Sequence, residues 1–276
     1  LGELYVERAF PPHAKARANE MIENLKKALA TRIKGLPWMT EPTKEMALKK
    51  LSTFTSKIGY PDKWRDYSAL TIDRNTYVGN VSRVSSFEYR RQMNKIGKPV
   101  DRTEWGMPPQ LINAYYNPLL NEICFPAGIM QPPYFDGDMD DAVNYGAMGA
   151  VIGHEISHGY DDQGSQFDAD GNMKMWWSDA DRAEFERRAD VLVKQVDGYE
   201  VLDSVFLNGK LTLGENIGDL AGLLLAYDGL QIALAGKERK LIDGLTPEQR
   251  FFYSWAQAWR TNTRDEALRL QVNTEV

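Results

Sequence analysis

The sequence predicts an α+β fold that is predominantly helical, and three observations carry that reading. Apolar residues recur at helical spacing through residues 10–34, "FPPHAKARANEMIENLKKALATRIK". The stretch "GENIGDLAGLLLAYDGLQIALA" is apolar on nearly every side, as a buried helix is. The β-rich texture is confined to short runs, "LINAYY" and "NEICFPA" around "NPLLN", and a brief "VFLNGKLT". With 276 residues and 43% hydrophobic content, the chain can fill a sizeable core.

Taken in order, Pro11 and Pro12 open the first helix, and Ala18, Met21, Ile22, Leu25, Ala28, Leu29 and Ile33 form its apolar stripe. A second helix is expected from Pro42 to Ile58, stopped by "GYPD". Residues 63–109 are polar, mixed and poorly periodic. At Leu111 the texture changes: "LINAYY" and "NEICFPA" read as two strands of a β-hairpin joined by "NPLLN". The expected division is therefore a helical lead-in, residues 1–110, and a core, residues 111–276. Within the core, "AVNYGAMGAVIGHEISHGY" reads as a helix whose small residues let it lie close against its neighbours. "SDADRAEFERRADVLVKQV" is a helix with Ser178 as N-cap. "VFLNGKLT" carries the Asn-Gly signal of a tight hairpin. "TPEQRFFYSWAQAW" starts with Thr246 as cap and Pro247 at the first helical position.

A net charge of -6 gives no basic stripe for a phosphate backbone, so nucleic acid is not an expected partner. No apolar run approaches the roughly 20 residues a bilayer span needs, and no membrane contact by this segment is expected. Cys124 stands alone, so an internal disulfide is impossible.

The chemistry concentrates in "VIGHEISHGYDD", Val151 to Asp162. Residues four apart on a helix differ by about 40° of rotation, so His154 and His158 project along one line and can share an ion. Glu155 sits about 100° round, on the rim of that face, placed as a base for a water rather than as a ligand. A catalytic zinc usually takes a third protein ligand and keeps one position open. The metzincin pattern fails, because its later glycine and histidine positions hold Asp161 and Gly164. A glutamate 19 residues on, as in gluzincin aminopeptidases, fails too, because Trp177 stands there. In "LGENIGDL", Glu215 and Asp219 lie four apart on one side of the apolar helix, where two carboxylates need a compensating charge. Glu215 is assigned as third ligand, and Asp219 as the acceptor that fixes the tautomer of His154. Glu215 would also be explained as a complement to the positive end of the helix dipole. His13, beside two prolines, is assigned no role. "DADGN", Asp168 to Asn172, lacks most of a calcium loop and reads as a polar turn.

The motif, "GENIGD", "NAYYNP", "NEICFPAGIMQPP", "LYVERAF", "KIGYPD", "QGSQFDADGN" followed by "WW", and "FFYSWAQAW" occur together in an order that resembles the neprilysin-like (M13) zinc metallopeptidases almost end to end. The resemblance implies a thermolysin-like gluzincin domain, mostly helical with a small sheet. It implies a zinc endopeptidase that cleaves oligopeptides on the amino side of hydrophobic residues, with one zinc ion per chain held by His154, His158 and Glu215. Glu155 is then the base and Asp219 orients a ligand. The resemblance places substrate backbone against Asn113 and Ala114, in line with an exposed strand edge that pairs with an extended peptide. It maps the pocket for the residue after the cut to Ile129, Tyr134, Ala150, Val151 and Trp259. Ala150 is smaller than the methionine of some relatives, which implies a roomier pocket.

The family also places a histidine that stabilises the transition state, and an arginine soon after it, directly beyond "NTEV", where this chain stops. In the family a long helical region that caps the site comes before this portion of the chain. The expectation is a fragment whose partners are oligopeptide substrates and the remainder of its parent polypeptide, able to bind zinc but to cleave slowly or not at all. The lone cysteine suits a bacterial member, periplasmic, secreted or anchored by its parent, outside the cytoplasm. Two rivals stay open: a non-catalytic peptide- or partner-binding module, and a gluzincin of another family with a different third ligand.

Overall fold

The computed structural model describes residues 1–274. The chain folds as two units, residues 1–60 with 107–276, and residues 61–106. In the larger unit, α1 (Gly2–Ala9), α2 (Pro12–Gly35) and α3 (Glu41–Ser52) lead into strand β1 (Thr55–Gly59). The smaller unit holds one helix, α4 (Tyr77–Met93), capped by Thr76, whose hydroxyl accepts the Gly79 N–H. It has no buried apolar stripe, and ion pairs of Glu88 and Glu104 with Arg65, Arg91 and Lys95 fasten it instead. Its polar sequence has no usable period, which is why this helix was not expected.

The chain then returns to the larger unit with β2 (Tyr115–Asn117) and β3 (Glu122–Pro126), the expected antiparallel hairpin, with Tyr116 opposite Ile123. The first strand is shorter than expected: it starts at Tyr115, and the preceding residues 111–114 have no ladder pairing. β3 is central, because β1 pairs with it in parallel, Ile58 opposite Phe125. This corrects the helix expected through Ile58. Helix α3 ends at Ser52, and Thr55 to Gly59 form instead a strand, exposed at Thr55 and Ser56 and buried from Lys57 on, whose partner lies more than sixty residues away. Strand β2 is left as a sheet edge.

The next helix is continuous but changes pitch. α5 (Asp141–Asn144) passes through a π-helical turn, Tyr145–Gly149, into α6 (Ala150–Ser157). Then come α7 (Asp179–Asp197), capped by Ser178 as expected, β4 (Glu200–Leu202), β5 (Val205–Phe206), α8 (Leu213–Ala233), α9 (Pro247–Ala258) and α10 (Asp265–Thr274). The Thr246 cap is a full capping box closed by Gln249. The β4–β5 hairpin exists, but Asn208-Gly209 is not its turn: the strands turn at Asp203-Ser204, with Ser204 at φ 60°. Gly209 instead meets the α7 backbone at Val193, and the Asn208 side chain accepts the Leu211 N–H just before α8.

The core lies where α2, α6 and α8 meet, with Ile22, Leu25, Ile152, Ile156, Ala226 and Leu230 fully buried. Small residues set the spacing, as expected: Gly146 abuts the Phe251 carbonyl of α9, and a Cβ at Gly153 would stand 2.6 Å from the Gly222 carbonyl oxygen of α8. Helix α8 is not buried all round. Its buried line runs through Gly218, Gly222, Leu225, Ala226 and Gly229, while Leu220 and Leu224 are 56% and 44% exposed. No helix among the described residues is long and apolar enough to cross a membrane.

Candidate active site

Helix α6 carries His154 and Glu155, and His158 is the residue at its C-terminal cap. Helix α8 crosses it at the Gly153–Gly222 contact, close enough that a Cβ on Gly218 would lie 2.8 Å from His154 Nδ1. One turn before Gly218, Glu215 faces the two imidazoles. Nε2 of His154 and Nε2 of His158 are 3.0 Å apart, and the Glu215 carboxylate lies 3.3 Å from the first and 3.8 Å from the second. The three side chains form the one cluster of potential metal donors of this kind among the described residues.

The outer nitrogens of both rings are occupied. His154 Nδ1 meets Asp219 Oδ1 at 2.9 Å, and His158 Nδ1 meets Asp161 Oδ2 at 2.7 Å. Asp161 is itself fixed, since its Oδ1 accepts the N–H groups of Gln163 (2.9 Å) and Gly164 (2.7 Å). A ring that donates Nδ1–H to a carboxylate presents Nε2 as a bare lone pair. Two such lone pairs and a carboxylate then aim at one point, which repels unless a cation stands there. A tetrahedral ion with bonds of about 2.0–2.1 Å has ligand–ligand edges of roughly 3.3–3.4 Å. Here the nitrogens are 3.0 Å apart, Glu215 Oε2 lies 3.3 Å from His154 and Oε1 3.8 Å from His158, and one donor atom from each residue falls within 4.8 Å of the others, so the donor set suits a zinc-type ion. With protons as the only positive charge, burial works against the His154 imidazolium, but its bonds to Asp219 and Glu215 prevail and raise it to about 10. Hydrogen bonding to His154 lowers Glu215 below the usual carboxylate range.

Glu155 is 9% exposed. Burial raises its carboxyl above the ordinary range, while the two imidazoles and a hydrogen bond from the Tyr116 backbone pull the other way. A buried carboxyl whose proton affinity is raised above that of a free carboxylate is suited to take up a proton from a neighbouring water. It opens on a cleft of about 380 Å³ whose walls are Asn113, Ala114, Ile129, Tyr134, Val151 and Trp259, with His154, Glu215 and Asp219 beside it.

All the residues given a site role from the sequence except Ala150 and His158 line this cleft. His158 meets the His154 ring edge-on, Nε2 to Nε2, and Ala150 is turned about 100° from Val151 on α6, its carbonyl against Gly222. Asn113 Oδ1 accepts the Ala114 N–H (2.8 Å). His13 pairs with Asp138 (3.3 Å) outside the site, and Asp168 closes a polar turn by accepting the N–H groups of Asp170 and Asn172. Asp161 was missed as a partner of the site. Its signal is its place three residues after His158, a position that by itself speaks only against the metzincin pattern.

Comparison with known proteins agrees with this geometry. Profiles of peptidase family M13 match residues 1–61 and 113–276. Neprilysin-3 of Drosophila melanogaster is 36% identical over the whole chain, and human endothelin-converting enzyme 1 is 38% identical over 94% of it. The chain spans 36% and 35% of their lengths. The crystal structure of Mycobacterium tuberculosis zinc metalloprotease Zmp1 with an inhibitor superposes on 99% of the chain with a TM-score of 0.91 and 48% identity, and the match covers 42% of that protein. The fold, the resemblance in sequence and these matches agree, and the chain belongs to peptidase family M13.

Proposed function

We propose that this chain carries the catalytic centre of a zinc endopeptidase that cleaves oligopeptides on the amino side of hydrophobic residues. The observation that carries the reading is the trio of donor residues, His154, His158 and Glu215, with donor atoms within 4.8 Å of one another, at the foot of a cleft where a buried carboxylate stands ready. His154, His158 and Glu215 would hold one zinc ion per chain, with Asp219 and Asp161 fixing the rings. When bound, zinc supplies Lewis acidity, acidifying a water and polarising a carbonyl. The rest falls to the chain's own side chains. Glu155 takes a proton from the attacking water, the water oxygen bonds to the scissile carbonyl carbon, and Glu155 passes the proton to the departing nitrogen as the C–N bond breaks.

The substrate's backbone would lie along the free edge at Asn113 and Ala114, where the Asn113 amide hydrogens can meet a peptide carbonyl. Ile129, Tyr134, Val151 and Trp259 give the cleft an apolar wall for the residue after the cut; Ala150, buried against α8, is not part of that wall. With His13 at Asp138, no histidine other than the motif pair stands at the cleft among the described residues. We therefore expect these 276 residues to hold zinc yet turn over slowly, lacking a donor of the kind whose loss typically costs about 10²- to 10³-fold. We place the activity outside the cytoplasm; the buried Cys124, its thiol pushed up to about 12 by burial, would survive an oxidising compartment.

Glu155→Gln is the test. The variant should bind zinc as the parent does and lose chelator-sensitive peptide cleavage. Cleavage that persists would overturn the role of Glu155, and absence of zinc binding in the parent chain would overturn the metal centre. A peptide series with no preference for bulky apolar residues after the cut would refute the specificity.

A further inference from the structure

Lys50, on α3, is fully buried, which is costly for a charged side chain unless it is well bonded. Its ammonium donates to three backbone carbonyls, those of Gly159 (2.6 Å), Gly164 (2.8 Å) and Phe167 (2.8 Å), and so uses all three of its N–H groups. The rings of Tyr116, Tyr160 and Trp176 stand 5.7–6.0 Å from the nitrogen. Inward carbonyls walled by aromatic faces are what a bound cation meets, and here the cation is carried by the chain itself.

The three carbonyls belong to the loop that leaves the metal-site helix immediately after His158. Gly164 is gripped on both sides, its C=O by Lys50 and its N–H by Asp161 Oδ1. The other oxygen of Asp161 holds His158 Nδ1 at 2.7 Å. A short path therefore runs from the Lys50 ammonium through the backbone of Gly164 and the Asp161 carboxylate to the His158 ring. An apolar side chain of similar length would fill the same space without the cost of a buried charge, so fixing this loop accounts for the ammonium.

We infer that Lys50 is a positioning residue for the metal centre: as an internal cation it folds the 159–167 loop so that Asp161 holds the His158 ring with Nε2 towards His154 and Glu215. The inference rests on the zinc reading of the site. It is tested by zinc affinity in the full chain, measured by competition with a chromophoric chelator, for the parent, Lys50→Met, Lys50→Arg, Asp161→Asn and the Lys50→Met/Asp161→Asn pair, each first shown to be folded. Lys50→Met should weaken zinc binding by about 10- to 100-fold, the usual cost of losing an outer partner, and Lys50→Arg by less. The pair should bind no more weakly than Asp161→Asn alone, because both changes interrupt one path.

A residue that only stabilises the fold would lower the melting temperature without this pattern; unchanged zinc affinity in folded Lys50→Met, or losses that add in the pair, overturns the inference and leaves the zinc centre standing. Should Lys50→Met fail to fold, Lys50→Ala titrated with propylammonium decides. Recovery of zinc affinity as the free ammonium refills the carbonyl cage supports the inference, and no recovery overturns it. A parent chain that binds no zinc overturns the metal reading and this one with it.

Discussion

Replacing Gly153 by alanine tests whether the α6–α8 approach builds the metal centre. The new methyl would stand 2.6 Å from the Gly222 carbonyl oxygen and 2.8 Å from the Gly222 Cα. Ordinary contact starts near 3.4 Å, so α8 must withdraw by roughly 0.6–0.8 Å at that point. Both obstacles are backbone, which cannot swing aside as a side chain does. His154 follows Gly153 directly, and Glu215 rides two turns along α8 from Gly222, so the shift opens the gap between ligands, whereas metal–ligand bonds tolerate about 0.2 Å. Overpacking of this kind costs about 1–3 kcal/mol. Drawn from the metal-competent arrangement, that is about 5- to 150-fold in zinc affinity. The assay is chelator competition on the folded variant, with thermal melting of the metal-free protein alongside. Gly35→Ala is the control, because a Cβ there meets nothing within 4 Å. Wild-type zinc affinity in a folded Gly153→Ala protein would show that the two helices have slack, and the positioning argument would fail.

Three further outcomes are expected. Asp219→Ala should weaken zinc binding by about 10- to 100-fold while leaving the far-UV circular dichroism unchanged, because it frees the His154 ring without touching the core. Asp181 ties the N-terminus of α7 to Thr40 and Thr43. Burial acts to raise its pKa, but hydrogen bonds from Thr40, Thr43 and Ser178 prevail and hold it at about 2, against an ordinary 3.8. A depressed carboxyl contributes stability that is complete above about pH 4 and is lost as the pH falls through 2, here about 2 kcal/mol; Asp181→Asn should flatten the melting temperature over that window. Thr246→Ala should cost about 1 kcal/mol in a denaturant melt, since it removes the hydroxyl that accepts the Gln249 N–H and leaves only the Gln249 side chain's bond to the residue 246 N–H.

What the sequence revealed, and what it hid, follows from the range of the interactions. Caps and hairpins are local, so Ser178, Thr246 and the β2–β3 turn were legible. The convergence of His154, His158 and Glu215 was legible because the two histidines lie one helical turn apart, and because two carboxylates on an apolar helix demanded a partner. Strand β1 was read as helix, since nothing near Thr55 announces that β3 will pair with it. Lys50 was hidden for a related reason: in "LKKL" on an amphipathic helix a lysine reads as solvent-facing, and only the distant 159–167 loop gives it carbonyls to hold. The exposed leucines of α8 invert the case, for composition announces an apolar helix but not which of its sides finds a neighbour.

The π-helical turn at Tyr145–Gly149 bears on how this site tolerates changes in chain length. One residue more or fewer in a helix rotates everything after it by about 100°. Upstream of the widened turn the helix is tied to α9, whose Ser254 hydroxyl donates to the Val143 carbonyl (2.7 Å), and downstream it docks on α8 through Gly153. The surplus residue reconciles these two docking phases within a single rod. A deletion that trimmed the turn back to ordinary α pitch would keep the helix and both partners' sequences intact, yet swing the imidazoles out of the cleft, so single-residue deletions across 145–149 should silence the site where conservative substitutions would not.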